Sequence, residues 1–359
     1  QIKKQVNVEQ KKHMKDKDGH HIRLNDEQKK QAQTISKNYH EKVEKLKSND
    51  KITMGEYKKQ MAVLQKDRKT QMDALLTTEQ KNKFQALGFL KISNAINTAT
   101  LEQLRTAVDF YSNSTPANDN IALVTGVNQQ EYVIGIQHLC KIPEAPFLAL
   151  LGSPLLLSIA QQICGADFFP IQEFAVIKTL GDNSKVEWHQ DVVNKLKGQT
   201  FMMGIYLDEA NDDNGALRVI PASHKSELSI CELKQLPYET IEMQAGDILI
   251  HDLMLAHSSG MLTQFAKRRV IYFEFMSSNQ AKNEQIYTTE MIEKRTALIP
   301  LAINAYKSFN NTNEAFSWQH PNKENYLNNE TLIETIESIY ATQLKVKPAN
   351  YCFNFTNNK

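Results

Sequence analysis

The sequence has few cysteines and none in a C-x-x-C pair. Its four cysteines lie far apart, at 140, 164, 231 and 352, which argues against a disulfide framework or a zinc knuckle. Isolated thiols in a chain this long fit a reducing compartment. With 41% hydrophobic and 23% charged residues, the 359-residue chain is neither disordered nor collagen-like. It is long enough for two domains, or for one large domain with an appendage.

The sequence also lacks a clean hydrophobic run of membrane-spanning length. The best candidate is the uncharged stretch 145–166, which prolines, glycine and glutamines interrupt. The interrupting residues include Pro146, Gly152, Pro154, Gln161 and Gln162. We interpret the stretch as a loop followed by a buried helix, and we predict no membrane span.

Aromatic residues are nearly absent from residues 1–83, which contain only Tyr39 and Tyr57 of the 29 Phe, Trp and Tyr. This segment holds 21 Lys/Arg against 12 Asp/Glu, a net charge of +9, whereas residues 84–359 carry a net charge of −8. The first segment therefore cannot build a large core, and the remainder can. Because few aromatics are present to stack on bases, we interpret the positive charge as a solvated helix face and expect no nucleic-acid partner.

The N-terminal segment predicts a helical hairpin. Apolar residues recur at helical spacing in two stretches, Ile35, Tyr39, Val43 and Leu46, then Tyr57, Met61 and Leu64. Between the stretches, Thr53-x-x-Glu56 is a capping box that begins the second helix. The apolar faces are thin, so the hairpin needs a partner surface. We predict a basic helical extension over residues 1–76 and a globular unit over residues 77–359.

A short pattern occurs twice, at Leu24–Gln28 and Leu76–Gln80. Each copy is typical of a helix N-cap with Gln at the third helical position. The pattern resembles the L-T-x-x-Q signature of small periplasmic helical chaperones of the Spy type. That resemblance implies a chaperone-like or binding function for the hairpin, and two ordinary helix starts explain the pattern equally well.

Residues 170–278 alternate short strands with turns, which predicts an antiparallel sandwich or jelly roll. The predicted strands are 174–177, 201–207, 248–250 and 270–275. A strand at 89–92 and a helix at 100–111 are predicted before them, and helices at 290–308 and 331–344 after them.

Two motifs carry metal-binding chemistry. The first is Trp188-His189-Gln190-Asp191, where a strand would project His189 and Asp191 to the same side. The second is a G-D-x-x-x-H block at 246–251 that leads to His257. Two histidines and one carboxylate form a facial triad, which suits non-haem Fe(II). His251 lies six residues before His257, and we expect it to be a packed or supporting histidine rather than a ligand.

A third motif is Lys267-Arg268-Arg269, which directly precedes the strand predicted at 270–275. The Arg268 guanidinium is a forked, permanently charged partner for a carboxylate. Beside an iron site, such an anchor suggests a 2-oxo-acid cosubstrate. We favour Arg268 over Arg269 for this role.

These motifs, with the N-G-A-L-R-V-I-P-x-S-H-K block at 214–225, resemble the phytanoyl-CoA dioxygenase family of Fe(II)/2-oxoglutarate oxygenases. The resemblance extends from about residue 77 to residue 275. It implies an α+β fold: a double-stranded β-helix (jelly roll) core flanked by helices, here with an N-terminal α-helical hairpin extension. It also implies that iron is bound by His189, Asp191 and His257.

The same resemblance implies a cosubstrate site. Arg268 would bind the distal carboxylate of 2-oxoglutarate, with Ser259 and Lys178 as helpers. Family members often have an aromatic residue where Gly204 stands in this chain, and whether Gly204 alters the rest of the cosubstrate pocket is left open.

The implied activity is hydroxylation of an unactivated carbon in a small-molecule or lipid-like substrate. O2 is the oxidant, and 2-oxoglutarate is converted to succinate and CO2. A cytoplasmic location is expected, or a periplasmic one if a signal peptide has been removed, and the oligomeric state is left open. One alternative is a chaperone-like or binding module with a non-catalytic β-helix. The other is a cupin-like metal enzyme that needs neither 2-oxoglutarate nor Arg268.

Overall fold

The structure is a computed structural model. It describes residues 37–39, 41–49, 52–73, 76–113, 120–142, 146–193, 196, 198–264, 266–313, 315–326, 332–341 and 349–352. The first copy of the repeated pattern, at 24–28, lies outside the described residues, as does Ile35, the first apolar residue of the first predicted helix.

The described strands form two antiparallel sheets. The strands are β1 (Phe89–Ile92), β2 (Ile121–Thr125), β3 (Glu131–Gln137), β4 (Phe168–Thr179), β5 (Val186–Gln190), β6 (Thr200–Tyr206), β7 (Leu217–Val219), β8 (Glu239–Ile241), β9 (Ile248–Asp252), β10 (His257–Ser259), β11 (Lys267–Ser277) and β12 (Asn350–Tyr351). The larger sheet has the order β1-β9-β6-β11-β4-β3-β2 and the smaller one β12-β5-β10-β7-β8. The expected double-stranded β-helix is confirmed, with each predicted strand present and several longer than predicted.

Helices pack around the two sheets. They are α1 (Met54–Asp73), α2 (Thr78–Leu87), α3 (Thr98–Asn113), α4 (Pro146–Leu151), α5 (Pro154–Cys164), α6 (Ile230–Leu233), α7 (Ser278–Asn283), α8 (Thr289–Thr296), α9 (Leu298–Phe309) and α10 (Leu332–Ala341). Helix α2 begins with a reciprocal capping box, because the Thr77 hydroxyl accepts from the Gln80 N–H and the Gln80 side chain accepts from the Thr77 N–H. The second copy of the repeated pattern is therefore the helix start that leads into β1.

The predicted hairpin is confirmed where it is described. Residues 41–47 are helical, and α1 begins after Thr53, whose Oγ1 accepts a hydrogen bond from the Glu56 N–H at 3.3 Å. The buried helix expected within 145–166 is confirmed as α5, and the loop expected before it is wrong. The stretch 145–166 contains both α4 and α5, because Gly152 and Pro154 interrupt the chain between them. The helical pattern predicted at 290–308 is confirmed and is divided into α8 and α9. In the described part of the chain, no helix is long and apolar enough to cross a bilayer.

The larger sheet is buried on both faces, and β6 shows how. Its residues Phe201, Met203 and Ile205 pack into a core shared with α3, α4, α5 and α9. The alternate residues Met202 and Tyr206 pack into a second core that lies between the two sheets. Burying one such side chain contributes roughly 1.5–3 kcal/mol. The two-residue period therefore fixes which side chains enter the β-helix, where the candidate site lies.

One disulfide joins distant parts of the chain. Cys231 in α6 is bonded to Cys352, which follows β12, across a sequence separation of 121 residues. The expectation of isolated thiols is wrong for this pair and holds for Cys140 and Cys164, which are buried and unbonded. No spacing pattern in the sequence predicts a disulfide between positions so far apart. The bond fastens β12, the edge strand that pairs with β5 in the smaller sheet.

Candidate metal centre

The structure brings His189, Asp191 and His257 to one point, as the H-x-D spacing predicts. His189 lies in β5, and Asp191 follows directly after that strand. His257 opens β10 and pairs with His189 across the smaller sheet. Oδ1 of Asp191 lies 3.4 Å from Nε2 of His189 and 3.6 Å from Nε2 of His257. Each residue offers one ligand atom within 4.8 Å of the others, so the three can share one metal ion.

Both imidazoles are oriented by the backbone. Nδ1 of His189 lies 2.8 Å from the carbonyl oxygen of Glu187, and Nδ1 of His257 lies 2.8 Å from that of Leu255. Since a carbonyl can only accept, each ring carries its proton on Nδ1 and presents an unprotonated Nε2. This is the usual way in which a metal-binding histidine is fixed in one tautomer and one orientation.

His251 contacts the triad from outside. Its Nε2 lies 3.2 Å from Oδ2 of Asp191, on the oxygen that does not face the other two histidines. The contact fits the supporting role that we expect for His251. It leaves Asp191 with one oxygen for an ion and one held by a side chain.

The charges in the site suit a divalent cation. Burial disfavours the charged form of Asp191, but the interactions with His257, His189 and His251 outweigh it, so the pKa of Asp191 lies well below its usual range. Burial and the neighbouring His189 lower the pKa of His257 to about 3. A charged carboxylate beside a neutral imidazole is the protonation state that metal binding requires. Two imidazoles and one carboxylate are a donor set that fits Fe(II).

A cavity of about 100 Å³ lies beside the triad. Its walls include Phe174, Val176, Val186, Met202, Leu217, Ser259, Arg268 and Tyr272. Arg268 is 2% exposed, and its Nη1 donates to the Gly215 carbonyl at 2.7 Å. Its buried Nε has no hydrogen-bond partner among the described residues. An unsatisfied guanidinium N–H next to a cavity is suited to a carboxylate ligand.

Gly215, in the N-G-A-L turn, supports this arginine. Its φ is +73°, and a Cβ at this position would lie 2.4 Å from the Gly260 carbonyl oxygen. A left-handed backbone and a close approach together require glycine here. The turn thereby presents the Gly215 carbonyl to Arg268.

The other predicted cosubstrate residues differ in placement. Ser259 lines the cavity, whereas Lys178 pairs with Arg268 across β4 and β11 and directs its Nζ to the carbonyls of Ser184 and Gly260, at 3.0 and 2.5 Å. Burial and the charge of Arg268 lower the pKa of Lys178 to about 7. Arg269 instead forms ion pairs with Asp208 and Asp109. Of the two arginines, Arg268, which we favour as the carboxylate partner, is therefore the one that lines the cavity.

Tyr272 is a cavity residue that the sequence reasoning missed. It pairs with Gly204 across β11 and β6, and a Cβ at Gly204 would lie 2.7 Å from Cε1 of Tyr272. The ring stacks on Phe174, with centroids 5.2 Å apart and planes at 25°. Tyr272, from the neighbouring strand, thus occupies the space that a side chain at position 204 would fill. Tyr272 could have been found by strand period, because it lies four residues past Arg268 on the same face.

Comparisons with known proteins place these motifs in context. A sequence model of the phytanoyl-CoA dioxygenase family, PhyH, matches residues 84–270, just over half of the chain. Among curated protein sequences there is no match.

Solved structures resemble the β-helix part. EvdMO1 has 24% sequence identity and a TM-score of 0.51, over 56% of this chain and 50% of EvdMO1. AviO1 from Streptomyces viridochromogenes Tue57 has 22% identity and a TM-score of 0.51, over 56% of this chain and 94% of AviO1. EctD from S. alaskensis, solved with 2-oxoglutarate and 5-hydroxyectoine, has 19% identity and a TM-score of 0.49, over 57% of this chain and 77% of EctD. EvdMO1 and AviO1 show a shared fold.

Proposed function

The chain belongs to the phytanoyl-CoA dioxygenase family, and from this premise we propose that it is an Fe(II)- and 2-oxoglutarate-dependent oxygenase. Its reaction would be hydroxylation of an unactivated carbon in a small-molecule or lipid-like substrate. The observation that carries the proposal is the convergence of His189, Asp191 and His257 beside a cavity that Arg268 lines, with the buried Nε of Arg268 lacking a hydrogen-bond partner among the described residues.

In this proposal the triad holds the metal. Fe(II) bound there, with 2-oxoglutarate and O2, would supply the oxidation of a C–H bond and yield succinate and CO2. The protein's own contribution is to fix three ligand atoms in place before the metal arrives. The carbonyls of Glu187 and Leu255 orient the imidazoles, and His251 orients the carboxylate.

The cavity residues would bind and enclose the cosubstrate. Arg268 would pair with the distal carboxylate of 2-oxoglutarate through its Nε–H, since its Nη1 is already used by Gly215. The hydroxyl groups of Ser259 and Tyr272 are further donors on the cavity wall. Lys178 would act as a positive charge behind Arg268 rather than as a direct contact.

Apolar side chains form much of the remaining wall. Phe174, Val176 and Leu217 line the cavity, and a dry wall strengthens the attraction between Arg268 and a carboxylate. The cavity of about 100 Å³ is assigned to the cosubstrate, and the small-molecule or lipid-like substrate remains a proposal drawn from the family resemblance.

The N-terminal extension and the compartment are separate proposals. We retain residues 1–76 as a basic extension to an oxygenase unit that spans residues 77–359. Disulfides persist in oxidising compartments, so the Cys231–Cys352 bond favours the periplasmic alternative over the cytoplasmic one.

The test is an anaerobic titration of iron-loaded protein with 2-oxoglutarate. The wild type should develop the weak visible charge-transfer band of an Fe(II)–2-oxoglutarate complex and, once O2 and a substrate are supplied, release succinate. Removing the buried charged hydrogen bond in Arg268→Met should cost about 1.5–3 kcal/mol, or about 10- to 100-fold in 2-oxoglutarate affinity.

Arg269→Gln is the matched control, because this neighbouring arginine pairs with Asp208 and Asp109 instead of lining the cavity. It should bind 2-oxoglutarate as the wild type does. No band in folded, iron-loaded wild type would refute the cosubstrate assignment. An unchanged affinity in Arg268→Met would favour the cupin-like alternative, and suppression of aggregation without iron would favour the chaperone-like one.

A further inference from the structure

The last described strand lies against the candidate metal centre. In β12, Tyr351 pairs with His189 and Asn350 pairs with Gln190. The Tyr351 ring is stacked on the His189 imidazole, with centroids 4.8 Å apart and planes only 14° from parallel. The Asn350 side chain also donates to Oε1 of Gln190, at 3.3 Å. A side chain distant in sequence is thereby placed directly on a triad histidine.

A covalent bond fixes this strand. β12 is two residues long, and so short a strand gains few ladder hydrogen bonds of its own. The next residue, Cys352, is bonded to Cys231 in α6, and its N–H donates to the Trp188 carbonyl at 3.5 Å. The disulfide therefore supplies an anchor that the strand pairing alone would provide weakly.

Stacking restricts the one degree of freedom that the backbone leaves to His189. The hydrogen bond from Nδ1 to the Glu187 carbonyl fixes the tautomer and holds the ring at one atom, so a second contact further restrains any pivot of the ring plane about that atom. A parallel aromatic ring against the imidazole face opposes the pivot and excludes water from it. His189 also contacts the His257 ring, with centroids 4.1 Å apart. The direction of its Nε2 thus depends on both neighbours.

We propose that Tyr351 is a positioning residue of the metal centre. The Cys231–Cys352 disulfide and the β12–β5 pairing hold its ring on His189, and that contact sets the direction in which His189 presents Nε2. The inference rests on the proposed function in one respect, that His189 is a metal ligand. Strand β12 lies outside residues 84–270, the part of the chain that matches the family. The contact between Tyr351 and His189 is therefore an addition to the matched part.

The test is anaerobic titration of the full chain with Co(II), followed by its visible d–d absorption. Losing a side chain that orients a ligand typically costs 10- to 100-fold in metal affinity. Tyr351→Ala and Cys352→Ser should therefore bind Co(II) at least about 10-fold more weakly, with an altered d–d spectrum. Tyr351→Phe keeps the ring and should bind Co(II) as the wild type does. Cys164→Ser, at a buried thiol that forms no disulfide, is the matched cysteine control and should also be unchanged.

The outcomes separate the two proposals. If the wild type binds Co(II) and Tyr351→Ala binds it equally well with the same spectrum, the positioning role is wrong and the metal centre stands. If Tyr351→Phe loses as much affinity as Tyr351→Ala, the ring contact is not the cause and the inference fails. If the wild type binds no Co(II), the metal centre itself fails. Should Cys352→Ser not fold, Tyr351→Ala with the disulfide intact carries the test.

Discussion

Nε2 of His251 lies 3.2 Å from Oδ2 of Asp191, while Oδ1 of the same carboxylate faces His189 and His257. The two oxygens are therefore differently engaged. A carboxylate held at one oxygen can offer the other to a metal without rotating. His251 thus determines how Asp191 is presented.

The first prediction concerns His251. Replacing it in His251→Ala frees Oδ2 and should weaken binding of Mn(II) or Fe(II) by about 10- to 100-fold. Calorimetric titration of the metal measures the effect. His320→Asn is the control, since His320 packs against Trp318 and Tyr326 and does not line the cavity. Equal affinity in His251→Ala and the control would show that the contact does not orient Asp191.

The second prediction concerns the space above Gly204. A methyl group in Gly204→Ala would lie 2.7 Å from Cε1 of Tyr272, and the stacked ring cannot move away without leaving Phe174. Such overpacking typically costs 1–3 kcal/mol, so Gly204→Ala should be destabilised by about that amount and should bind 2-oxoglutarate more weakly. Urea denaturation and 2-oxoglutarate titration measure the two effects.

Gly55→Ala is the matched control, because a Cβ there would meet only Thr53 Oγ1 at 4.0 Å, in the first turn of α1. It should leave stability and 2-oxoglutarate binding unchanged, or raise stability slightly. A Gly204→Ala variant as stable as Gly55→Ala would contradict the close packing of Tyr272.

The three residues of the triad could be identified from the sequence, for physical reasons. His189 and Asp191 are two residues apart, so strand geometry alone brings them to one side. His257 was identified because it follows the G-D-x-x-x-H block at 246–251, and the family resemblance implied the same three ligands. Tyr272 was missed because the comparison with family members concerned position 204 alone. A neighbouring strand can supply the same volume, and only register between β6 and β11 reveals it.

The remaining features depend on contacts between distant parts of the chain. Cys231 and Cys352 are 121 residues apart, and neither position has a local pattern that requires a bond. Gly152 and Pro154 mark the division of stretch 145–166 into α4 and α5. The same two residues are also compatible with a loop before a single helix. In each case tertiary packing decided between local structures that the sequence permits.

The third prediction is a pH dependence of stability. Burial, with the negative charge of Asp191, raises the pKa of Glu274 to about 8 from its ordinary 4.5. Between these pH values the folded protein keeps a proton that the unfolded chain has released. The contribution of Glu274 to the free energy of unfolding of metal-free protein should therefore fall as pH rises from 4.5 to 8, by up to about 1.4 kcal/mol per pH unit.

Glu274→Gln tests this dependence, since an amide keeps the shape and can still hydrogen-bond to Gln172. Urea denaturation across the same pH range should show the free energy of unfolding of the wild type falling relative to that of Glu274→Gln as pH rises. Other ionisable groups contribute to both proteins and cancel in the difference. If the free energies of unfolding of the wild type and Glu274→Gln change with pH in parallel, Glu274 is ionised in the folded protein.

The fourth prediction is a thiol count. With Cys231 bonded to Cys352, two of the four cysteines, Cys140 and Cys164, should react with a thiol reagent in denaturant without reductant. After reduction all four should react. Four reactive thiols before reduction would contradict the disulfide, and with it the anchor that we assign to β12.

The central claim is that His189, Asp191 and His257 bind one Fe(II) ion. Anaerobic crystals soaked with Fe(II) and measured at the iron absorption edge test it most directly, because anomalous scattering locates iron without assumptions about the protein. We expect one strong peak within bonding distance of Nε2 of His189, Nε2 of His257 and a carboxylate oxygen of Asp191. A peak bound by other side chains, or no peak in crystals whose solution contains excess Fe(II), would contradict the account.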